Sequence, residues 1–274
     1  MKVTMADVAA EAGVNKATVS RVLKGDPRIS AATCEKVWAA VKKLGYRPDV
    51  LARGLSTKTT DTIGVVFKQL SPWWVGLYLC GLERVMERIG VEIMIKETSS
   101  DDKKRINALK VLSARRVDGL IFVYEKPPAE ELNLPVVVVG EHQFDGVSIK
   151  FDEKAIVEKI EKLSKGQGFR YYPGEGAVYS FLSKYQTQKK NAKCHVLDGR
   201  LGQKVEASPD DVLVFCGSQE EASILGAWTL EFPAFHLGAL SGRLMINRLR
   251  DKRIRPQAVL VVPQIFTPQG ELWG

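Results

Sequence analysis

Thr4-Met5-Ala6-Asp7-Val8-Ala9-Ala10-Glu11-Ala12-Gly13-Val14-Asn15-Lys16-Ala17-Thr18-Val19-Ser20-Arg21-Val22-Leu23 is the stretch that decides the fold of the N-terminal part. Its first four residues have the form of a capping box, with a Thr hydroxyl to close a helix start and an acid three residues on. The helix that follows carries Val8, Ala9 and Ala12 on one side. Gly13 stops it, because glycine takes the positive φ that a tight turn demands. Asn15 is then an N-cap for a second helix over 16–23, with Val19, Val22 and Leu23 turned inward. Further out, Gly25-Asp26-Pro27 reads as a loop. Ser30 caps a third helix that carries Val37, Ala40, Val41 and Leu44 at helical spacing, and Gly45 ends it. Two short helices joined by a glycine turn and closed by a third make the helix-turn-helix plan.

The outer face of the second helix offers Lys16, Ala17, Ser20 and Arg21. A long cation, a methyl, a hydroxyl and a guanidinium suit guanine edges, thymine methyls and phosphates. Charge points the same way. Residues 1–60 hold 11 Lys/Arg against 5 Asp/Glu, whereas the other 214 residues hold 29 against 27. A small basic segment on a near-neutral body suits a polyanionic partner. An apolar fraction of 45% with 26% charged residues is that of an ordinary globular protein. Cys34, Cys80, Cys194 and Cys216 lie far apart, as do His142, His195 and His236, so no metal-ligand spacing arises and no cofactor is expected. The reading is of reduced cysteines in a cytoplasmic protein with no secretory leader and no membrane span.

The run Val3-Thr4-Met5-Ala6-Asp7-Val8-Ala9, then Ala12-Gly13-Val14 and Ala17 to Leu23, closely resembles the start of LacI/GalR-type repressors. The likeness continues through Leu44-Gly45-Tyr46, Arg47-Pro48 and Ala52-Arg53-Gly54-Leu55, in order and without a gap. The resemblance implies a headpiece over 1–47 whose second helix lies in the major groove, with Lys16, Ala17 and Arg21 at base edges. It places Thr4, Asn15, Thr18, Ser20, Ser30 and Thr33 among the DNA-contacting residues, mostly at phosphates. Residues 48–60 would form a hinge helix and linker, with Ala52, Arg53 and Leu55 at the DNA. Leu55 would wedge into the minor groove and bend the duplex, giving up base stacking for wider contact. Where the family usually has Asn, this chain has Asp49, whose charge is unsuited to a phosphate contact.

From Thr62 onward the pattern alternates between strand and helix. Strands are expected at 63–67, 91–95, 119–123, 136–139, 212–216 and 259–262, and helices at 74–89, 103–114, 153–163 and 239–249. That rhythm predicts an open parallel sheet with helices on both faces. The body also resembles the family's two-lobed, periplasmic-binding-protein-like effector domain with parallel sheets, here over 61–274. Asp118-Gly119-Leu120-Ile121, Leu134-Pro135-Val136-Val137 and Glu231-Phe232-Pro233 carry the likeness. Between about 165 and 230 the chain reads as several elements short, so the second lobe is expected to be reduced, with one acid-bearing strand missing. The family's ligand-binding Arg and Asn-Asp have no counterpart in Glu175 to Tyr179 or in Cys216-Gly217-Ser218-Gln219. Candidate effector-binding residues are Trp73, Trp74 and Phe122 as walls, with Asp152, Ser218 and Gln219 as polar groups.

Enzyme motifs are lacking. Gly238-Ala239-Leu240-Ser241-Gly242 sets its serine one position late for a nucleophile elbow, and Tyr172-Pro173-Gly174-Glu175-Gly176 has no Lys or Ser/Thr of a phosphate loop. The expectation is a homodimeric, sequence-specific DNA-binding regulator, by family default a repressor, on a palindromic operator in double-stranded DNA. Two forms of control stay open. One is a small carbohydrate-like effector. The other is no effector, or a protein partner, with the C-terminal domain serving only dimerisation through surfaces such as the helix around Leu77.

Overall fold

The computed structural model describes residues 3–23, 25–46, 59–99, 101–128, 132–174, 177–188, 192–198, 205, 207–251 and 253–273. The hinge residues Asp49, Ala52, Arg53 and Leu55 lie outside them. The chain divides into two compact units, Met1–Thr60 and Asp61–Gly274.

In the first unit α1 (Met5–Ala12), α2 (Lys16–Leu23) and α3 (Ala31–Leu44) form where the caps ask for them. The Thr4 hydroxyl accepts the Asp7 amide, and the Asp7 carboxylate accepts the Thr4 amide at 2.7 Å. Gly13 and Gly45 end α1 and α3 at φ of 64° and 61°. Val8, Val19 and Val37, one from each helix, are fully buried at the centre, with Val22, Ala40 and Tyr46 around them. An ion pair of 2.8 Å between Lys43 and Glu11 ties α3 to α1 at the surface.

The second unit holds two six-stranded sheets. The first runs β10-β5-β4-β3-β1-β2, all parallel, built from β1 (Thr62–Phe67), β2 (Glu92–Glu97), β3 (Gly119–Val123), β4 (Val136–Val139), β5 (Val147–Phe151) and β10 (Gln257–Val261). Its central strands are continuous apolar runs because both faces are covered. The two-residue period sorts them cleanly. Ile63, Val65, Phe67, Ile121, Val123, Val137 and Val139 share a core with α4 (Trp74–Met86) and α8 (Ala234–Arg250). Val66, Leu120, Phe122, Val136 and Val138 face the other way, with Leu112 of α5 (Asp102–Ala114).

The second sheet runs β12-β11-β9-β8-β7-β6. Strands β6 (Arg170–Pro173), β7 (Cys194–Asp198), β8 (Val212–Gly217) and β9 (Trp228–Glu231) are parallel, and β11 (Ile265–Phe266) and β12 (Leu272–Trp273) add on antiparallel. The chain enters this lobe ahead of α6 (Glu153–Leu163), returns to the first between β9 and α8, and crosses again between β10 and β11. Among the described residues the lobe is reduced in helices, not in strands. Between β6 and β9 it shows the six-residue α7 (Gln219–Ile224) and a 3-10 turn, Ser180–Lys184. The acid-bearing strand expected to be missing is a correction: β9 occupies Trp228–Glu231, pairs in parallel with β8, and ends on an acid. Its first residues, Trp228-Thr229, follow the Gly226 turn so closely that the strand reads as loop. The last long helix also begins five residues earlier than expected, straight after Pro233.

Helices α4 and α8 approach at backbone distance. A Cβ on Gly238 would sit 1.9 Å from the Tyr78 carbonyl oxygen, and one on Gly81 would sit 2.0 Å from that of Phe235. Beside this crossing the buried Tyr78 hydroxyl donates to Ser241 Oγ at 2.8 Å, and Ser241 donates to the Leu237 carbonyl at 2.7 Å.

Two outcomes follow from this packing and capping. Gly238→Ala is expected to lower the stability of the second unit by about 3 kcal/mol, or roughly 6–12 °C in melting temperature. Gly76→Ala, where a Cβ meets nothing within 4 Å, serves as the neutral control in the same calorimetric scan. In the first unit, hydrogen bonds from Thr4 hold Asp7, and Arg28 holds Asp26, below the ordinary carboxylate value of 3.8. Folded values below unfolded ones mean that this stability is full above pH 3.8 and is lost as pH falls through the folded values. Amide exchange in α1–α3 should accelerate as pH is lowered through this window, after correction for intrinsic rates, and Asp7→Asn should flatten that dependence.

Candidate nucleic-acid interface and ligand cleft

On the first unit Lys16, Ala17 and Arg21 are exposed on one face of α2, with Ser20 half-buried beside them. The groups expected at phosphates are held by local hydrogen bonds. Asn15 Oδ1 accepts the Thr18 amide at 2.7 Å and its hydroxyl at 3.0 Å. Ser30 Oγ lies 2.9 Å from Thr33 Oγ1 and caps α3. Asn15, Thr18, Ser30 and Thr33 line one shallow depression with Gly13 and Arg28. The first turns of α2 and α3 both open there, their Thr18 and Thr33 amides capped by Asn15 and Ser30, so the positive ends of two helix dipoles face a shared hollow. Thr4 stands apart from it, at the start of α1, with its hydroxyl donating to Asp7 at 2.8 Å. Arg28 is engaged by Asp26 at 2.9 and 2.7 Å. The arrangement presents a cation-bearing helix edge flanked by a hydroxyl-lined hollow.

On the second unit a cleft opens at the carboxyl ends of parallel strands, where such sheets receive ligands. Lys68 and Gln69 follow β1, Val123 and Tyr124 close β3, Glu141 and His142 follow β4, and Gly174 follows β6. Trp74, Ala177 and Ser180 complete much of the wall. Tyr124 has a left-handed backbone, φ 51°, which costs about 1–3 kcal/mol for a residue with a Cβ. Gly140, at φ 118°, makes room for it: a Cβ there would stand 3.3 Å from the Tyr124 ring.

Three side-chain atoms of this wall are buried without a hydrogen-bond partner: Trp74 Nε1, Tyr124 Oη and Glu141 Oε1. Buried polar atoms in native proteins are normally paired, so such a group is costly unless something completes it. The Phe181 amide favours the charged form of the Glu141 carboxylate, while its Oε1 is left buried without a partner. Burial pushes Glu141 up, and the charges of Glu153 and Asp198 add to the shift. Burial and the Glu141 charge push the Tyr124 phenol well above its ordinary value. Behind the wall Trp74 packs on Tyr124 and Phe232, with ring centroids 5.4 and 5.1 Å away.

Asp198, at the end of β7, anchors the segment that brings Ala177 and Ser180 to the cleft. Its carboxylate accepts the Tyr171 hydroxyl at 2.7 Å and the Val178 and Tyr179 amides at 3.1 and 2.6 Å. Burial pushes its pKa up to about 6 despite these donors.

Of the six effector candidates read from sequence, Trp74 alone is among the residues lining this cleft. Trp73 is 37% exposed and stacks edge-on against Phe232. Phe122 is buried on the opposite face of the sheet. Asp152 caps α6 by accepting the Ala155 amide at 3.1 Å, and Ser218 caps α7 by accepting the Glu221 amide at 3.2 Å. Gln219 opens α7, with its side-chain amide against Gly270. Sequence reading missed Lys68, Tyr124, Glu141 and His142. A signal is there: each follows, within three residues, a buried strand that the apolar runs locate.

The family model described as "Bacterial regulatory proteins, lacI family" matches residues 4–49. Catabolite control protein A of Streptococcus mutans serotype c is 36% identical over 173 residues, which are 60% of this chain and 52% of that protein. Catabolite control protein A of Staphylococcus xylosus is 32% identical over 229 residues, 80% of this chain and 67% of that protein. The chain thus spans about half the length of the Streptococcus mutans relative and two thirds of the Staphylococcus xylosus one. Among solved structures, the Lac repressor bound to ONPG in its repressed state superposes with a TM-score of 0.74 at 21% identity, covering 97% of this chain and 99% of that one. The regulator CelR in complex with cellobiose gives a TM-score of 0.61 at 17% identity, with 97% and 99% covered. These structures speak to fold. The helix-turn-helix match, together with a relative 32% identical and covered over 67% of its length, makes this chain a member of the lacI family of bacterial regulatory proteins.

Proposed function

We propose that the chain is a cytoplasmic, non-enzymatic transcription regulator that binds a palindromic DNA operator as a homodimer and represses from it, under control of a small hydroxylated effector. The observation that carries the DNA reading is the exposed Lys16, Ala17 and Arg21 edge of α2 beside the Asn15, Thr18, Ser30 and Thr33 hollow. In this reading the edge takes base pairs, the hollow seats a backbone phosphate, and Thr4 and Ser20 add phosphate contacts. Ala52, Arg53 and Leu55 would act in the minor groove.

Dimerisation is assigned to the first lobe, where Leu77 of α4, Ile89 and Ile95 of β2 stand 49%, 42% and 38% exposed. Control by an effector is favoured over an effector-independent body by the unpartnered groups of the cleft, which a scaffold would have no reason to keep. The cellobiose held by CelR supports the same class of ligand.

Selection from a random DNA library with the intact protein should enrich a palindrome, with affinity falling steeply as salt rises. Arg21→Ala should cost about 1–3 kcal/mol at that site and relax the preference at one base pair. Thr33→Ala should weaken all sequences evenly. Selection that enriches no sequence would remove the DNA reading. In sedimentation, Leu77→Glu should shift the protein toward monomer.

A further inference from the structure

The cleft described above asks for particular chemistry. Trp74 Nε1 is a donor and needs an acceptor; a carboxylate oxygen such as Glu141 Oε1 is an acceptor and needs a donor. Tyr124 Oη takes either role. A hydroxylated ligand answers the first and third. Glu141 asks for more, because among the described residues it is an acid that makes no ion pair. The charges of two further carboxylates, Glu153 and Asp198, act on it from outside the cleft wall. Lys184 is the cation that acts on it, and Lys184 Nζ stands 3.6 Å from Glu153, which also accepts the Tyr185 hydroxyl at 3.0 Å. Lys68 sits exposed at the rim. The open oxygen of Glu141, Oε1, is itself buried away from solvent. A neutral hydroxyl would satisfy the hydrogen bond and leave the field uncompensated. An ammonium group satisfies both, through a charge-assisted bond.

We propose that the effector carries a protonated amine beside its hydroxyls, as in an amino sugar, with the ammonium on Glu141 and ligand hydroxyls on Trp74 Nε1 and Tyr124 Oη. This rests on the effector reading of the cleft and narrows it to a cationic, hydroxylated class. Glu141 is then the residue that sets specificity.

Titration calorimetry of the intact protein near neutral pH, with glucosamine, glucose and N-acetylglucosamine, tests it. Glucosamine should bind about tenfold or more tightly than the two neutral sugars, a preference that Glu141→Gln should abolish. Without ligand, Glu141→Gln should raise the melting temperature by about 2–4 °C, since it removes a half-buried carboxylate whose Oε1 has no partner. A fall in melting temperature would mean that Glu141 is already satisfied, and would overturn the proposal. Equal or tighter binding of glucose or N-acetylglucosamine would also overturn it while leaving the effector reading standing. Binding of none of the three, with the operator complex unmoved by each, would count against both.

Discussion

Backbone contact between α4 and α8 at Gly81 and Gly238 is the constraint on which the second unit turns. α4 begins with Trp74 in the cleft wall, and α8 follows a crossover between the lobes. With glycine at both crossing points the helices press together closely enough for Tyr78 to reach Ser241, and for both helices to share the face of the first sheet that carries Ile63, Val65 and Phe67. A larger residue at either point would move α4 outward and carry Trp74 with it. Packing deep in the lobe therefore fixes the geometry of the ligand wall.

How much of this was legible varies with the physics of each element. The three N-terminal helices could be read almost to the residue, because their ends are written in local chemistry: Thr4 with Asp7, Asn15, Ser30, Gly13 and Gly45. Strands β1, β3 and β4 showed as unbroken apolar runs, since helices cover both faces. Strands β6 and β7, Arg170–Pro173 and Cys194–Asp198, were hidden by polar residues whose partners lie far away in sequence: Tyr171 with Asp198, Tyr172 with His195, and His195 with Asp211. No window of sequence displays such a pairing.

The cleft was misread for a different reason. Trp73 and Phe122 invite a place in the wall by being aromatic, and Asp152 and Ser218 by being polar. Burial and capping had prior claims on three of them. Phe122 has the wrong parity in β3, and Asp152 and Ser218 are helix caps. Position after a strand end, rather than residue type, would have pointed to Tyr124 and Glu141. The two sites also differ in their state of satisfaction. Polar groups of the first unit are bonded to one another and held in place for an outside partner, whereas those of the cleft stand open.

The chain passes between the two lobes three times: between β5 and α6, between β9 and α8, and between β10 and β11. Three parallel straps resist sliding and twisting far more than bending, as three cords across a book's spine let it open but not skew. Hinge-like opening is the lobe motion that three such connections leave easiest. A molecule seated at Tyr124 and Glu141 on one leaf, with Ala177 and Ser180 on the other, sets the angle of that opening.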